Sequence, residues 1–249
     1  MKNIINFILI GIIQGLTEFL PVSSSGHIVL FGSLFNMDNL MLLSVVAHIG
    51  TLFAVIYCYR IRLKELIKKP FCETNIKLLI ATIPTILIVI VFNGFIEENF
   101  TKSTLVWGFL ISAVLLFLAD LKKDSNSLLN KKSALYMGIS QGLAILPGFS
   151  RSGTTLACGL LVGVEKKDAL DFSFLMSIPI IIASAVYESV KLFTMHLTVN
   201  WLGIFIVIVT SFIFGVISIK LMIKTIKNNK LYYFSFYLIL LSLILLIFF

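Results

Sequence analysis

Gln14-Gly15-Leu16-Thr17-Glu18-Phe19-Leu20-Pro21-Val22-Ser23-Ser24-Ser25-Gly26-His27 breaks the apolar region 4–35 in its middle. A proline followed by serines and a glycine ends one helix and opens another. A second apolar region, 133–164, is broken by Pro147-Gly148-Phe149-Ser150-Arg151-Ser152-Gly153. The two breaks resemble each other. Gln14-Gly15-Leu16 leads to Pro21 and Gly26, Gln141-Gly142-Leu143 leads to Pro147 and Gly153, and the step from Gln to the closing Gly is 12 positions in both. The arm 133–146 has 14 residues. It rises ~21 Å, short of the ~30 Å hydrocarbon core, so each region reads as a hairpin whose tip stops inside a membrane.

The rest of the chain agrees with that setting. Hydrophobic residues make up 59% of the 249 positions and charged residues 13%. A soluble domain has about 45–50% and 25%, so there are too few charges to cover a water-facing surface. Six further segments, at roughly 41–59, 76–95, 102–119, 170–190, 201–222 and 231–249, are apolar enough to cross a bilayer. The fold class is therefore an all-α polytopic membrane protein, with six spanning helices plus two re-entrant helix hairpins. Each hairpin precedes three spans, so 1–249 reads as one membrane domain built by duplication. Repeat 1 is about 1–119, a cytoplasmic linker about 120–132, and repeat 2 about 133–249.

The net charge of +8 does not point to nucleic acid, because 16 of the 20 Lys and Arg fall in 60–77, 122–132, 166–167 and 220–230, between the apolar runs. Basic loops of that kind lie on the cytoplasmic side. Asp38, Glu97 and Glu98 then fall outside. Hairpin 4–35 enters from the outer side and hairpin 133–164 from the inner side, which makes the repeats inverted and predicts a site near the midplane between them. Cys58, Cys72 and Cys158 have neither disulfide-framework nor zinc spacing. The segment 1–13 lacks a cleavage pattern and reads as part of the mature fold.

Glu18 and Arg151 carry the chemistry. An ionisable group in an apolar segment is costly and needs a partner or a wet cavity. Meeting hairpin tips bring the two into one pocket, either as an ion pair that joins the hairpins or as part of a site. Ser23, Ser24, Ser25, Ser150, Ser152, Thr154 and Thr155 crowd the same tips, beside Gly26 and Gly153. Each tip opens a helix, whose first N–H groups and positive dipole end favour an anion. Arg adds a planar fork suited to phosphate. His27 follows Ser23 and Ser24 at helical spacing, so it is either a general base for a serine nucleophile or a histidine bonded to a carbonyl. His48 and Glu188 are candidates for the cavity wall or for structural roles, and His196 falls in an outer loop. Gln14 shares a helix face with Glu18, where it can position a phosphate or a metal-bound water.

The segment Gln14 to His27 resembles the first signature of the undecaprenyl-diphosphate phosphatase family, also called the bacitracin-resistance protein family. Pro147 to Thr154 resembles the second, and Gly50-Thr51-Leu52 and Phe172-Ser173-Phe174-Leu175 extend the resemblance along the chain. It implies a bacterial plasma-membrane enzyme that releases the terminal phosphate of undecaprenyl diphosphate and recycles the cell-wall lipid carrier. Bacitracin sequesters that diphosphate, so the activity confers resistance. By motif, Glu18, Ser24, His27 and Arg151 are the catalytic positions. Gln14, Ser23, Ser25, Gly26, His48, Ser150, Ser152, Gly153 and Thr154 complete the expected substrate site.

The resemblance also brings a divalent cation, Mg²⁺ or Ca²⁺. The family takes Glu or Gln at position 14. With Gln14 here, the ion is expected on the diphosphate, with Glu18 as its protein partner. The expected partners are the polyprenyl diphosphate and the bilayer. No nucleic acid is expected, self-association stays open, and the site faces outward. In the working mechanism Ser24 attacks with His27 as base, while Glu18 orients His27 or the metal; direct attack by water is the variant. The rival reading is a secondary transporter or lipid flippase with an intramembrane anion site, which needs no nucleophile and base. A purely structural subunit leaves Glu18 and Arg151 without a reason.

Overall fold

The computed structural model describes residues 2–35, 37, 40–98, 101–122, 127–193, 200–228 and 230–248. Among these the chain folds into helices α1 (Lys2–Phe19), α2 (Ser24–Leu34), α3 (Leu40–Cys58), α4 (Arg60–Lys68), α5 (Glu73–Glu98), α6 (Lys102–Leu121), α7 (Lys131–Leu143), α8 (Arg151–Leu161), α9 (Lys166–Phe193), α10 (Trp201–Lys227) and α11 (Tyr232–Phe248). No strand forms among the described residues, only a bridge between Ser127 and Val164.

The helices follow the apolar runs, and polar side chains mark where they start. Thr101 with Thr104 and Asn130 with Ser133 close capping boxes at α6 and α7, and Asn200 accepts the Gly203 N–H at α10. Among the described residues five helices, α3, α5, α6, α9 and α10, are long and apolar enough to cross a membrane. The sequence reading has six. Its last segment forms α11, whose 17 described residues rise about 26 Å, just under the ~30 Å core. α5, α9 and α10 run beyond the apolar limits into charged residues, because Lys and Glu continue a helix well. The basic segment 60–77, read as a loop, folds its first part into α4, with Leu66 turned inward and Arg62 and Lys64 exposed.

Small residues set the closest helix contacts, as expected where dispersion and backbone approach replace the hydrophobic effect. A side chain on Gly138 of α7 would run into the Ala81 backbone of α5, and one on Gly15 of α1 would meet the Ser211–Gly215 backbone of α10. Ser218 of α10 donates to the Gly15 carbonyl at 2.8 Å. α1 thus packs along α10, α7 along α5, α6 along α11, and α3 against α9 and α10. Phe19, Phe109, Leu156 and Phe174 are shielded between them, with Phe19 edge-on to Phe174 at 5.4 Å. Leu79, Ile83, Leu87 and Ile90 on the outer face of α5 stay exposed, which suits a helix surrounded by lipid.

Both broken regions fold as helix, break, helix. α1 meets α2 across residues 20–23, and α7 meets α8 across 144–150. α2 and α8 have 11 residues each, or about 17 Å. The residues that precede them, Ser23 and Ser150, are both buried.

Candidate functional site

The two breaks meet. Ser152 Oγ of the second donates to the Leu20 carbonyl of the first at 3.0 Å. Gly153 lies against Pro21, where an added Cβ would sit 2.9 Å from the proline Cβ. Gly26 faces the edge of the Phe109 ring. Ser150 caps α8 by accepting the Gly153 N–H at 3.1 Å, and its own N–H donates to Ser112 Oγ at 3.0 Å. Ser23 stands at the head of α2, accepts the Gly26 N–H at 3.4 Å, and has a φ of +67°. A non-glycine residue in that region is strained, and such strain persists only where the surroundings hold it.

At this junction sits Glu18, on the last turn of α1. Its Oε1 accepts from Arg151 Nη2, the residue that opens α8. Its Oε2 accepts from Ser24 Oγ at 2.7 Å and from Gln14 Nε2 at 2.9 Å. His48 Nε2 of α3 stands 3.7 Å from the same oxygen, with its Nδ1 donating to the Ser44 carbonyl at 2.8 Å. Gln14 and Glu18 are buried, while Ser24, His48 and Arg151 are half-buried. Three helices, α1, α2 and α8, therefore supply one carboxylate, one hydroxyl and one guanidinium at a single point.

On the helices that meet here, three polar atoms are buried without a partner: Gln14 Oε1, Arg151 Nη1 and Thr154 Oγ1. Thr154 lies three residues beyond Arg151, on the same face of α8. Buried polar groups in native proteins are almost always paired, so the two orphaned donors, Arg151 Nη1 and Thr154 Oγ1, mark where a ligand's acceptor atoms can belong. A guanidinium, a hydroxyl and two helix N-termini suit an anion with several oxygens.

Of the other residues singled out from sequence, Ser25 is exposed, 3.5 Å from Ser23 Oγ. Thr155 bonds the Arg151 carbonyl at 2.8 Å and Ser173 Oγ at 2.6 Å, a structural role inside α8 and α9. Glu188 is half-buried in the last third of α9. His196 lies outside the described residues.

The expected pairing of His27 with Ser24 is not formed. His27 Nδ1 bonds the Ser23 carbonyl at 2.8 Å and its Nε2 bonds the Tyr237 hydroxyl of α11 at 2.6 Å. Helical side chains lean toward the helix start, so His27 reaches back to the backbone of Ser23. Ser24 bonds Glu18, and the imidazole near Glu18 is that of His48. Sequence reasoning missed Tyr237, Ser112 and Phe109. Each lies in an apolar run far from the motifs, where nothing in the sequence sets it apart.

A resident divalent cation does not suit these residues. Glu18 is the only carboxylate among the junction residues named above, and both its oxygens are occupied. Among the described residues no group of three or more His, Cys, Asp or Glu could hold an ion.

A cavity of about 680 Å³ lies elsewhere, lined by Tyr59, Arg62, Lys77, Lys167, Asp168 and Asp171 among others. Lys77 is paired with Glu73 at 2.7 Å, Arg62 with Glu65 at 3.2 Å, and Tyr59 donates to Asp171 at 2.7 Å. Two of its three cations are thus already paired with carboxylates.

Residues 7–244 match the family described as Bacitracin resistance protein BacA. The chain is 36% identical over 243 residues to the undecaprenyl-diphosphatase of Carboxydothermus hydrogenoformans, covering 94% of this chain and 93% of that one. It is 37% identical over 249 residues to the undecaprenyl-diphosphatase of Thermosipho africanus, covering 96% and 98%. The corresponding protein of Borreliella burgdorferi is 35% identical over 262 residues, covering 98% and 97%.

Proposed function

The chain belongs to the Bacitracin resistance protein BacA family, and from that premise we propose that it hydrolyses undecaprenyl diphosphate to undecaprenyl phosphate and phosphate. That activity recycles the lipid carrier of cell-wall synthesis and confers bacitracin resistance. The observation that carries the reading is the pair of orphaned donors on α8, Arg151 Nη1 and Thr154 Oγ1, in the helix whose Arg151 meets Glu18 beside Ser24. They are the partners for the oxygens of the terminal phosphoryl group.

In the proposed reaction Ser24 Oγ attacks the terminal phosphorus and forms an O–P bond. The anhydride bond breaks with its electron pair leaving on the lipid monophosphate. The Ser24 proton passes to Glu18 Oε2, the base the geometry favours over His27 because it already accepts that proton's hydrogen bond. Arg151 and the α8 N-terminus stabilise the charge that grows on the phosphoryl oxygens. Water then hydrolyses the phosphoserine. Direct attack by water, with Glu18 taking its proton, is the variant without that intermediate. Mg²⁺ or Ca²⁺ belongs in this reading to the diphosphate, as its counter-ion.

The same reading assigns the chain to the bacterial plasma membrane, with six spans, two re-entrant hairpins and the site open to the outer face. The placement of the basic segments supports it. The packing supports the duplication within it. If α1, α2, α3, α5 and α6 correspond to α7, α8, α9, α10 and α11, then α1 on α10 is the counterpart of α7 on α5. The pairs α3 with α9 and α6 with α11 then each join a helix to its own counterpart. A duplicated fold whose halves are related by a two-fold axis requires that exchange, and the basic segments favour an axis in the membrane plane.

The test is phosphate release from a C55 prenyl diphosphate by purified protein in detergent, with added Mg²⁺ or Ca²⁺. Wild type releases phosphate, and Arg151→Ala loses about 100-fold or more of the rate. Folded wild type that releases none, while carrying anions across liposomes, supports a transporter instead.

A further inference from the structure

We infer that Tyr237 of α11 is a positioning residue for this reaction: through His27 it holds the turn that presents Ser24, and His27 is a strut in that turn rather than the base. The inference rests on the phosphatase reading for its kinetic consequences and on geometry alone for the strut.

A backbone carbonyl only accepts hydrogen bonds, so His27 Nδ1, 2.8 Å from the Ser23 carbonyl, carries the ring proton. In the neutral ring Nε2 is then an acceptor, and the Tyr237 hydroxyl donates to it at 2.6 Å. The histidine and tyrosine rings lie within 10° of parallel with centroids 5.7 Å apart. Phe109 closes another side of His27 at 6.2 Å, and His27 is buried. The imidazole is therefore held on both nitrogens and shielded, with neither nitrogen offered to Ser24.

What it holds is the strained residue. Ser23, at φ +67°, has its carbonyl bonded twice by His27, from Nδ1 and from the backbone N–H at 3.3 Å. The next residue is Ser24, whose hydroxyl meets Glu18 at 2.7 Å. A relaxed Ser23 swings Ser24 away from that carboxylate. Tyr237, from the far end of the chain, thus ties α11 to the nucleophile's turn.

The experiment uses the full chain in detergent, labelled with ¹⁵N-histidine, together with steady-state kinetics. In wild type the His27 resonances, identified by their loss in His27→Asn, show a proton on Nδ1. In Tyr237→Phe, which keeps the ring, the Nε2 resonance moves. The same variant lowers kcat about 5–20-fold with KM within about two-fold. His27→Asn keeps an N–H near the Nδ1 position but has no titratable group. It retains kcat within about 30-fold of wild type, while His27→Ala loses more than about 100-fold. The proposal is overturned if His27→Asn falls as far as His27→Ala, which is the signature of a base. It is equally overturned if Tyr237→Phe leaves both kcat and the His27 resonances unchanged. Wild type that releases no phosphate sinks the phosphatase reading, and the resonances then decide the strut alone.

Discussion

Replacing Glu18 by Gln removes one charge and keeps the side chain's shape. The Glu18 and Arg151 side chains are 5% and 16% exposed, so the pair is largely shut away from water. Removing one member of a buried ion pair strands the other, at a cost of about 3–5 kcal/mol. For a chain of this length each kcal/mol moves the melting midpoint by about 2–4 °C, so Glu18→Gln melts about 6–20 °C below wild type in detergent. Replacing both charges, Glu18→Gln with Arg151→Met, leaves no stranded ion and returns the midpoint most of the way. Hydrolysis is lost in the single and the double variant alike. The assay is a melting series on wild type, both single variants and the double variant, analysed as a thermodynamic cycle. A Glu18→Gln protein as stable as wild type refutes the reasoning. So does a double variant whose destabilisation equals the sum of the single ones, because the two charges are then not coupled.

Thr154→Val swaps an orphaned hydroxyl for a methyl of similar size, so stability is unchanged or rises by about 1–3 kcal/mol, while phosphate release drops about 10-fold; parallel melting and activity measurements check this. Gly153→Ala pushes a methyl toward Pro21 at the point where the hairpins touch. Its rate falls about 10-fold or more, as expected for a displacement near 1 Å, in the same phosphate-release assay. Chelation by EDTA slows hydrolysis but leaves the melting midpoint of the substrate-free protein in place, since no described cluster holds a resident ion; a midpoint that falls on chelation contradicts this.

Much of the junction was readable in advance because it breaks the rules of its surroundings. A carboxylate at Glu18 and a guanidinium at Arg151 are out of place in apolar helices, and the structure joins them. Two Pro-Ser-Gly breaks in otherwise unbroken apolar runs become the starts of α2 and α8. The partners within the site were not readable. Helical spacing allows His27 to face Ser24, but side-chain lean and the left-handed Ser23 send it to a carbonyl instead. Tyr237 is one aromatic in a run of apolar residues, and only the packing of α11 brings it to His27, 210 positions away. α4 was hidden because its apolar residues are few and its charges many, which reads as a loop until Leu66 finds a surface to pack on.

The central claim is that the tips of α2 and α8 together hold the terminal phosphate. Its most direct test is an experimental structure with a prenyl methylene-diphosphonate, which cannot be hydrolysed. The expected structure has terminal phosphonate oxygens within hydrogen-bond reach of Arg151 Nη1 and Thr154 Oγ1, with Ser24 Oγ facing the phosphorus. A headgroup seated instead in the cavity beside Lys77 and Lys167, with Arg151 still paired to Glu18 alone, contradicts it.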